Sequence, residues 1–185
     1  MDLPLRAYLE ALATPPGAPG AESATAVAAA LAAALVAMGI RAVGPVQEAE
    51  GRRRGERPGP EGELPALAGR VEEERRRFEQ LAAAPGSVET LLQTAEGAAR
   101  TIDLALQAYG RLTARPPAAL AGLVGGIALA RAAADAAVQV ALVHLEQVGD
   151  PLERAAAKTR ATGLAQRARR AEAEFLAAMA TAGTT

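Results

Sequence analysis

The sequence contains no cysteine and no tryptophan, and aromatic residues make up only 2% of its 185 residues. Without cysteine the chain can form neither disulfides nor thiolate metal sites, and it lacks a cysteine nucleophile. The scarcity of aromatic residues argues against a sheet-rich fold, because strands favour aromatic and β-branched side chains. The formal net charge of −1 argues against a general nucleic-acid-binding protein, whose surface would be strongly basic.

Alanine and leucine dominate the remaining composition, with 50 and 22 residues. Both are strong helix formers, so the composition predicts an all-α protein of closely packed helices. Asparagine is absent, and Lys158 is the only lysine beside 19 arginines. This usage fits a thermophile, since asparagine is thermolabile, and it fits a GC-rich genome equally well. The length predicts a single domain over residues 1–185.

Hydrophobic periodicity and helix breakers predict six helices, at about 2–13, 23–42, 65–84, 87–113, 117–148 and 151–180. Ser23, Ser87 and Asp150 are the expected N-caps of the second, fourth and sixth helices. Between the second and third helices, about 45–65 is rich in Pro, Gly and charge, which predicts a flexible excursion with no buried face. We therefore expect an up-and-down helical bundle with one charged excursion.

The uncharged stretch from Ser23 to Ile40 is long enough to span a membrane. Alanine contributes little to membrane insertion, so a buried central helix is the better interpretation. Gly122 and Gly126 form a GxxxG pair, which permits two helices to approach closely. No basic segment precedes the first uncharged stretch, so no secretory signal is visible. We expect a cytoplasmic protein without a membrane partner.

The block from Pro19 to Met38, PGAESATAVAAALAAALVAM, resembles the start of the cyclodeaminase and methenyltetrahydrofolate cyclohydrolase family, which typically reads PGGGSVAALAGALGAALAAM. The preceding YLEALAT resembles the first helix of that family. Further along, EERRRFEQLAAAP resembles its DAxAFxxVxxAxxxP segment, with Phe78 and Pro85 in place. The segment IALARAAADAAVQVALVHLEQVGD resembles its VAALLAEAA…NVxINLxxIxD segment. The similarity covers most of residues 5–150.

This resemblance implies a helical bundle that forms a homodimer and acts in folate one-carbon metabolism. Members of the family hydrolyse 5,10-methenyltetrahydrofolate or close 5-formiminotetrahydrofolate with loss of ammonia, so the implied substrate is a tetrahydrofolate derivative. The triple-glycine turn of the family corresponds to Gly20, Ala21 and Glu22, followed by Ser23, and these are the candidate ligand-binding residues. Glu22 is a departure, because its carboxylate would occupy the positive helix N-terminus and repel an anionic folate tail.

The same resemblance implies two candidate catalytic residues. Glu74 takes the place of the Asp in DAxAF, and His144 takes the place of a paired Asn in NVxIN. Histidine suits the proton transfer that both reactions need, since an unperturbed imidazole titrates near ~6.5. The alternative for His144 is a structural, partly buried histidine with a hydrogen-bond partner. The charged neighbours of Glu74 favour a solvent-exposed position. One histidine and no cysteine predict no bound metal.

Other charged residues have structural interpretations. Asp135 lies four residues after Arg131, and Asp103 lies three residues after Arg100, which predicts ion pairs along helix surfaces. The arginine runs at 52–54 and 75–77 could attract an anionic tail, but interleaved glutamates favour a solvated face.

Three functions remain open from the sequence. The first is an active folate cyclohydrolase or cyclodeaminase. The second is a diverged, non-catalytic dimer that keeps only the scaffold, because the triple glycine, a family aspartate and both family asparagines are lost together. The third is an unrelated helical interaction or membrane-associated protein, suggested by alanine-rich helices with the GxxxG pair.

Overall fold

The computed structural model describes residues 20–43, 60–84, 86–112 and 116–182, together with Ala7, Tyr8 and Glu10. These residues contain no strand, so the all-α prediction is confirmed. Their five α-helices, numbered here in chain order, are α1 Ala21–Arg41, α2 Leu64–Ala83, α3 Val88–Gly110, α4 Pro117–Leu145 and α5 Pro151–Ala182. A 3₁₀ turn, Pro60–Glu63, leads into α2.

The five helices begin and end within a few residues of their predicted bounds. The predicted first helix, 2–13, lies outside the described residues apart from Ala7, Tyr8 and Glu10, which are helical. The count of six helices is therefore not confirmed. Residues 45–59 of the predicted excursion also lie outside the described part. Its end contradicts the expectation of no buried face, because Glu63 is buried and its carboxylate accepts a hydrogen bond from Arg111 on the bundle.

Two of the three predicted caps are confirmed. The Ser87 hydroxyl accepts a hydrogen bond from the Thr90 backbone N–H at 3.3 Å, and Asp150 accepts one from the Leu152 N–H at 2.9 Å. The Ser23 prediction is wrong, because α1 begins two residues earlier and its N-cap is Gly20. Ser23 is instead buried within the first turn, where its hydroxyl donates to the Gly20 carbonyl at 2.8 Å.

Helices α1 and α4 lie antiparallel at the centre of the bundle and meet at a glycine seam. A Cβ on Gly122 would lie 2.6 Å from the Cα of Gly39, and one on Gly126 would lie 2.5 Å from a methyl of Val36. Neither space admits a side chain, so the close approach predicted from the GxxxG pair is confirmed. The two helices bury alanines against each other on both sides of this seam.

Helix α5 is attached to the bundle by a narrow apolar stripe and by ion pairs on its flanks. The pairs Arg131–Glu172 and Asp135–Arg169 show that α5 runs antiparallel to α4. Its buried residues are mostly alanines, and Phe175 is the largest of them. Phe175 packs edge-on against Tyr109 of α3, with ring centroids 5.1 Å apart.

The apolar helices α1 and α4 are only partly covered by the rest of the chain. Both are long and apolar enough to cross a membrane, and 56% and 44% of their most apolar windows are buried. Val36 and Ile40 of α1 are fully buried as expected, whereas Leu31 and Met38 are 54% and 52% exposed. The prediction that α1 is buried on all sides is therefore wrong for its outer face.

Candidate functional site

The structure brings together two residues that the sequence put forward separately. Glu22 lies in the first turn of α1 and His144 in the last turn of α4. Because the two helices are antiparallel, these ends are adjacent, and His144 Nε2 lies 3.0 Å from Glu22 Oε1. Both side chains are mostly covered, with 20% and 17% of their surfaces exposed. An ionised carboxylate only accepts hydrogen bonds, so Nε2 is the donor in this contact, and in a neutral imidazole Nδ1 is then the acceptor.

Two glycines make room for this pair. The second oxygen of Glu22 lies directly against Gly20, where any side chain would collide with it. On the other side, a Cβ on Gly86 would lie 3.0 Å from Nδ1 of His144. Gly86 also has φ of +87°, a backbone conformation that L-residues rarely adopt. Gly86 was not among the predicted functional residues, and its only signal in the sequence was its position in a Pro-Gly break.

The remaining ligand-binding candidates surround the start of α1. Ala21 is exposed, whereas Ser23 is fully buried beneath it. Tyr8 is also buried and packs its ring on Phe78 of α2, with centroids 5.9 Å apart. Burial raises the pKa of the Tyr8 phenol, and this effect outweighs the opposing influence of the nearby Ser23 hydroxyl. The buried groups near the turn are thus mainly apolar, and they include the hydroxyl groups of Tyr8 and Ser23.

Glu74 is buried, so the prediction of a solvent-exposed side chain is wrong. Only 2% of the residue is exposed, because it lies on the inner face of α2. One carboxylate oxygen pairs with Arg77 one turn later, and the other, Oε2, has no hydrogen-bond partner among the described residues. Burial raises the pKa of Glu74 to about 7, although the Arg77 guanidinium acts to lower it.

Glycine again makes space for this buried ion pair. Gly97 of α3 faces the Glu74 carboxylate, which lies where a Cβ of residue 97 would be, and that Cβ would also lie 2.6 Å from the Arg77 guanidinium. Any side chain at residue 97 would push the pair apart. Gly97, like Gly86, was not singled out by the sequence.

The structure does not bring Glu74 and His144 together. His144 lies over Gly86 before the start of α3, whereas Glu74 lies opposite Gly97, nine residues after Val88. At 1.5 Å per residue the two levels are roughly 14 Å apart along the bundle. Glu74 and His144 of one chain therefore cannot both act on one reacting carbon.

A groove of about 260 Å³ opens at the end of the bundle where α4 ends. Its floor is apolar and its rim carries two glutamates and an arginine, the lining residues being Val88, Glu89, Leu92, Leu145, Val148, Glu153, Ala156, Ala157 and Arg160. Although Leu145 follows His144 directly, neither His144 nor the turn at 20–23 lines this groove. The Glu22–His144 pair and the groove are therefore separate features.

The other charged residues of interest mostly confirm their structural interpretations. Asp135 pairs with Arg131 at 2.7 Å, as predicted, and Asp103 pairs with Arg167 of α5 rather than with Arg100. In the run 75–77 the first two arginines form exposed pairs with glutamates of α2, and only Arg77 turns inward. The run 52–54 lies outside the described residues. In the described part of the chain, no group of three or more carboxylate or imidazole side chains is placed to hold a metal ion.

Comparison with known proteins adds no relative. The chain matches no model of a known protein family, and no curated protein matches it. The resemblance of the block Pro19–Met38 to the cyclodeaminase and cyclohydrolase family therefore stays a prediction.

Proposed function

We propose that this chain is a folate one-carbon enzyme of the cyclodeaminase and cyclohydrolase type, with His144 as its general base. The observation that carries the proposal is the 3.0 Å contact between His144 and Glu22, two residues 122 positions apart in the sequence. A histidine held by a carboxylate is the arrangement that orients an imidazole for proton transfer. Glu22 is then a positioning residue rather than the obstacle that the sequence suggested.

The chemistry follows from the free ring nitrogen. With Nε2–H donated to Glu22, Nδ1 can take a proton from a water molecule as the water oxygen bonds the bridging carbon of 5,10-methenyltetrahydrofolate. The bond between that carbon and one ring nitrogen then breaks: the imidazolium returns its proton to this nitrogen, and the new hydroxyl loses its proton to solvent as the carbonyl forms, which leaves the 10-formyl product. Gly86 has no side chain over Nδ1, whereas any other residue at position 86 would place a Cβ 3.0 Å from this nitrogen. Glycine therefore leaves more space for a small reactant at Nδ1.

The test measures the loss of ultraviolet absorbance of 5,10-methenyltetrahydrofolate. We expect the protein to exceed the buffer rate, and His144→Gln to lower that rate by about 10²–10⁴-fold. Glu22→Gln should also lower it, because an amide does not enforce the Nε2–H tautomer. Glu146→Gln, an exposed change beyond the end of α4, is the matched control. A wild-type rate equal to that of buffer refutes the enzymatic proposal.

A second candidate is a diverged, non-catalytic dimer that retains only the family scaffold. It is favoured by the position of the Glu22 carboxylate, which lies against Gly20 and fills the turn where the family would receive its ligand. Titration calorimetry with a tetrahydrofolate derivative decides between the two. Absence of both binding and turnover supports the scaffold, whereas tight binding contradicts it.

Both candidates include a homodimer in the cytoplasm. The support is the uncovered apolar side of α1 and α4, where Leu31, Met38 and Val124 are 54%, 52% and 38% exposed. Side chains of this kind are covered at protein–protein interfaces. Analytical ultracentrifugation should give twice the chain mass of 18.8 kDa. Sedimentation as a single chain contradicts the dimer, and a need for detergent to keep the protein in solution would favour a membrane-associated protein instead.

A further inference from the structure

Two buried polar atoms, one on α2 and one on α3, have no hydrogen-bond partner among the described residues. They are Oε2 of Glu74 and the hydroxyl oxygen of Thr94, and their residues are 2% and 0% exposed. Buried polar atoms in folded proteins nearly always have a partner, either in the protein or in an ordered water molecule. Neither atom takes part in the contact between Glu22 and His144.

The position of Thr94 on α3 puts it one helical turn from the point where the Glu74 carboxylate meets this helix. Gly97 faces the Glu74 carboxylate, and Thr94 precedes Gly97 by three residues, so both lie on the same face of α3. Neighbours at this spacing have Cβ positions roughly 5–6 Å apart. Because the Glu74 carboxylate lies where the Cβ of residue 97 would be, it lies at about this distance from the Cβ of Thr94, which leaves space for one intervening water molecule.

We propose that Glu74 and Thr94 form an internal binding site for one ordered water molecule, which donates a hydrogen bond to Oε2 of Glu74 and accepts one from the Thr94 hydroxyl. The water gives the carboxylate its second partner while Arg77 holds its first oxygen. Buried waters typically make about three hydrogen bonds to polar groups that would otherwise be unpaired. The site does not depend on folate chemistry and forms in the ligand-free protein.

The charged side chains that most affect the Glu74 carboxylate lie on α2. Arg77 and Arg70 favour the ionised carboxylate of Glu74, and Glu73 opposes it. Helix α1 carries no charged residue between Glu22 and Arg41. The nearest charged residues of α3, Glu96 and Arg100, pair with each other on its outer side. Loss of the water should therefore reduce the solvation of the ionised Glu74 carboxylate. The charged residues of α1 and α3 do not compensate for this reduction.

The test follows the titration of Glu74 by carbon-13 NMR of labelled glutamate side chains. In Thr94→Val the water loses a partner, so the ionised carboxylate is less solvated and the titration midpoint should rise by ~1 pH unit or more. Thr94→Ser keeps the hydroxyl and should keep the wild-type midpoint. Thr101→Val is the matched control, since the Thr101 hydroxyl already donates to the Gly97 carbonyl at 3.1 Å.

A midpoint in Thr94→Val equal to that of wild type overturns the proposal. Should Thr94→Val fail to fold, a high-resolution crystal structure of the wild-type protein provides the second measurement. Electron density for a water molecule within hydrogen-bonding distance of both atoms supports the site. A direct bond between Glu74 and Thr94, or a dry contact between them, contradicts it.

Discussion

The buried carboxyl of Glu74 should make the stability of the protein fall as the pH rises through neutrality. In the unfolded chain a glutamate titrates at its ordinary value of 4.5, whereas burial raises the pKa of Glu74 in the folded protein to about 7. Between these two values the folded state binds a proton that the unfolded state has released. The free energy of unfolding therefore decreases with pH across this window, and the decrease is complete above the folded pKa.

The magnitude follows from the same two values. Each unit of difference in pKa is worth 1.36 kcal/mol, so Glu74 lowers the free energy of unfolding by about 2 to 3 kcal/mol between pH 5 and pH 8. Glu74→Gln removes this titration. The variant also loses the contact between Glu74 and Arg77, which is an ion pair only where Glu74 is ionised. The change with pH is the informative quantity, because the packing cost of the substitution is the same at every pH whereas the ionisation of Glu74 is not.

Urea unfolding followed by circular dichroism, at one protein concentration and at pH 5, 6, 7 and 8, measures the effect. The stability of Glu74→Gln relative to wild type should increase by about 2 to 3 kcal/mol across the series. Glu79→Gln on the same helix is the control, since its exposed carboxylate makes only a surface pair with Arg75. Parallel pH profiles for wild type and Glu74→Gln would show that the Glu74 carboxyl is not held in its neutral form by burial.

Three further substitutions test the fold. Gly122→Ala should lower the free energy of unfolding by about 1–3 kcal/mol, because its Cβ meets the Gly39 backbone. Gly125→Ala is the control, because its Cβ meets nothing within 4 Å, and it should raise the free energy of unfolding by up to about 1 kcal/mol. If urea unfolding showed that both substitutions change the free energy in the same direction, the close contact at the glycine seam would be contradicted. Ser87→Ala removes the N-cap of α3 and should cost about 1 kcal/mol, whereas an unchanged thermal midpoint would show that the cap contributes nothing.

The helices were predictable from the sequence because their signals are local. Ser87 and Asp150 each precede a helix, and both were confirmed as caps. Ser23 has the same chemistry but lies inside α1, because Gly20 takes the extended cap conformation. A serine near a helix start can satisfy its hydroxyl by capping or by donating to a carbonyl three residues earlier. Sequence alone does not distinguish the two.

The burial of Glu74 had a signal that the charged neighbours concealed. The inner face of α2 is formed by Leu67, Val71, Glu74, Phe78 and Leu81, whose spacings of four and three residues define one helical stripe. Glu74 occupies the centre of that stripe, whereas its neighbours in sequence point outward. Periodicity was thus a better guide to its burial than local charge.

The contact between Glu22 and His144 had no such local signal, because it depends on how far α1 and α4 slide past each other. That register is set at the glycine seam, where Gly39 meets Gly122. A shift of one helical turn, 5.4 Å, would separate the carboxylate from the imidazole. The seam therefore controls the candidate site from the opposite end of the helices. Substitutions at Gly122 should disturb the Glu22–His144 pair without touching either residue.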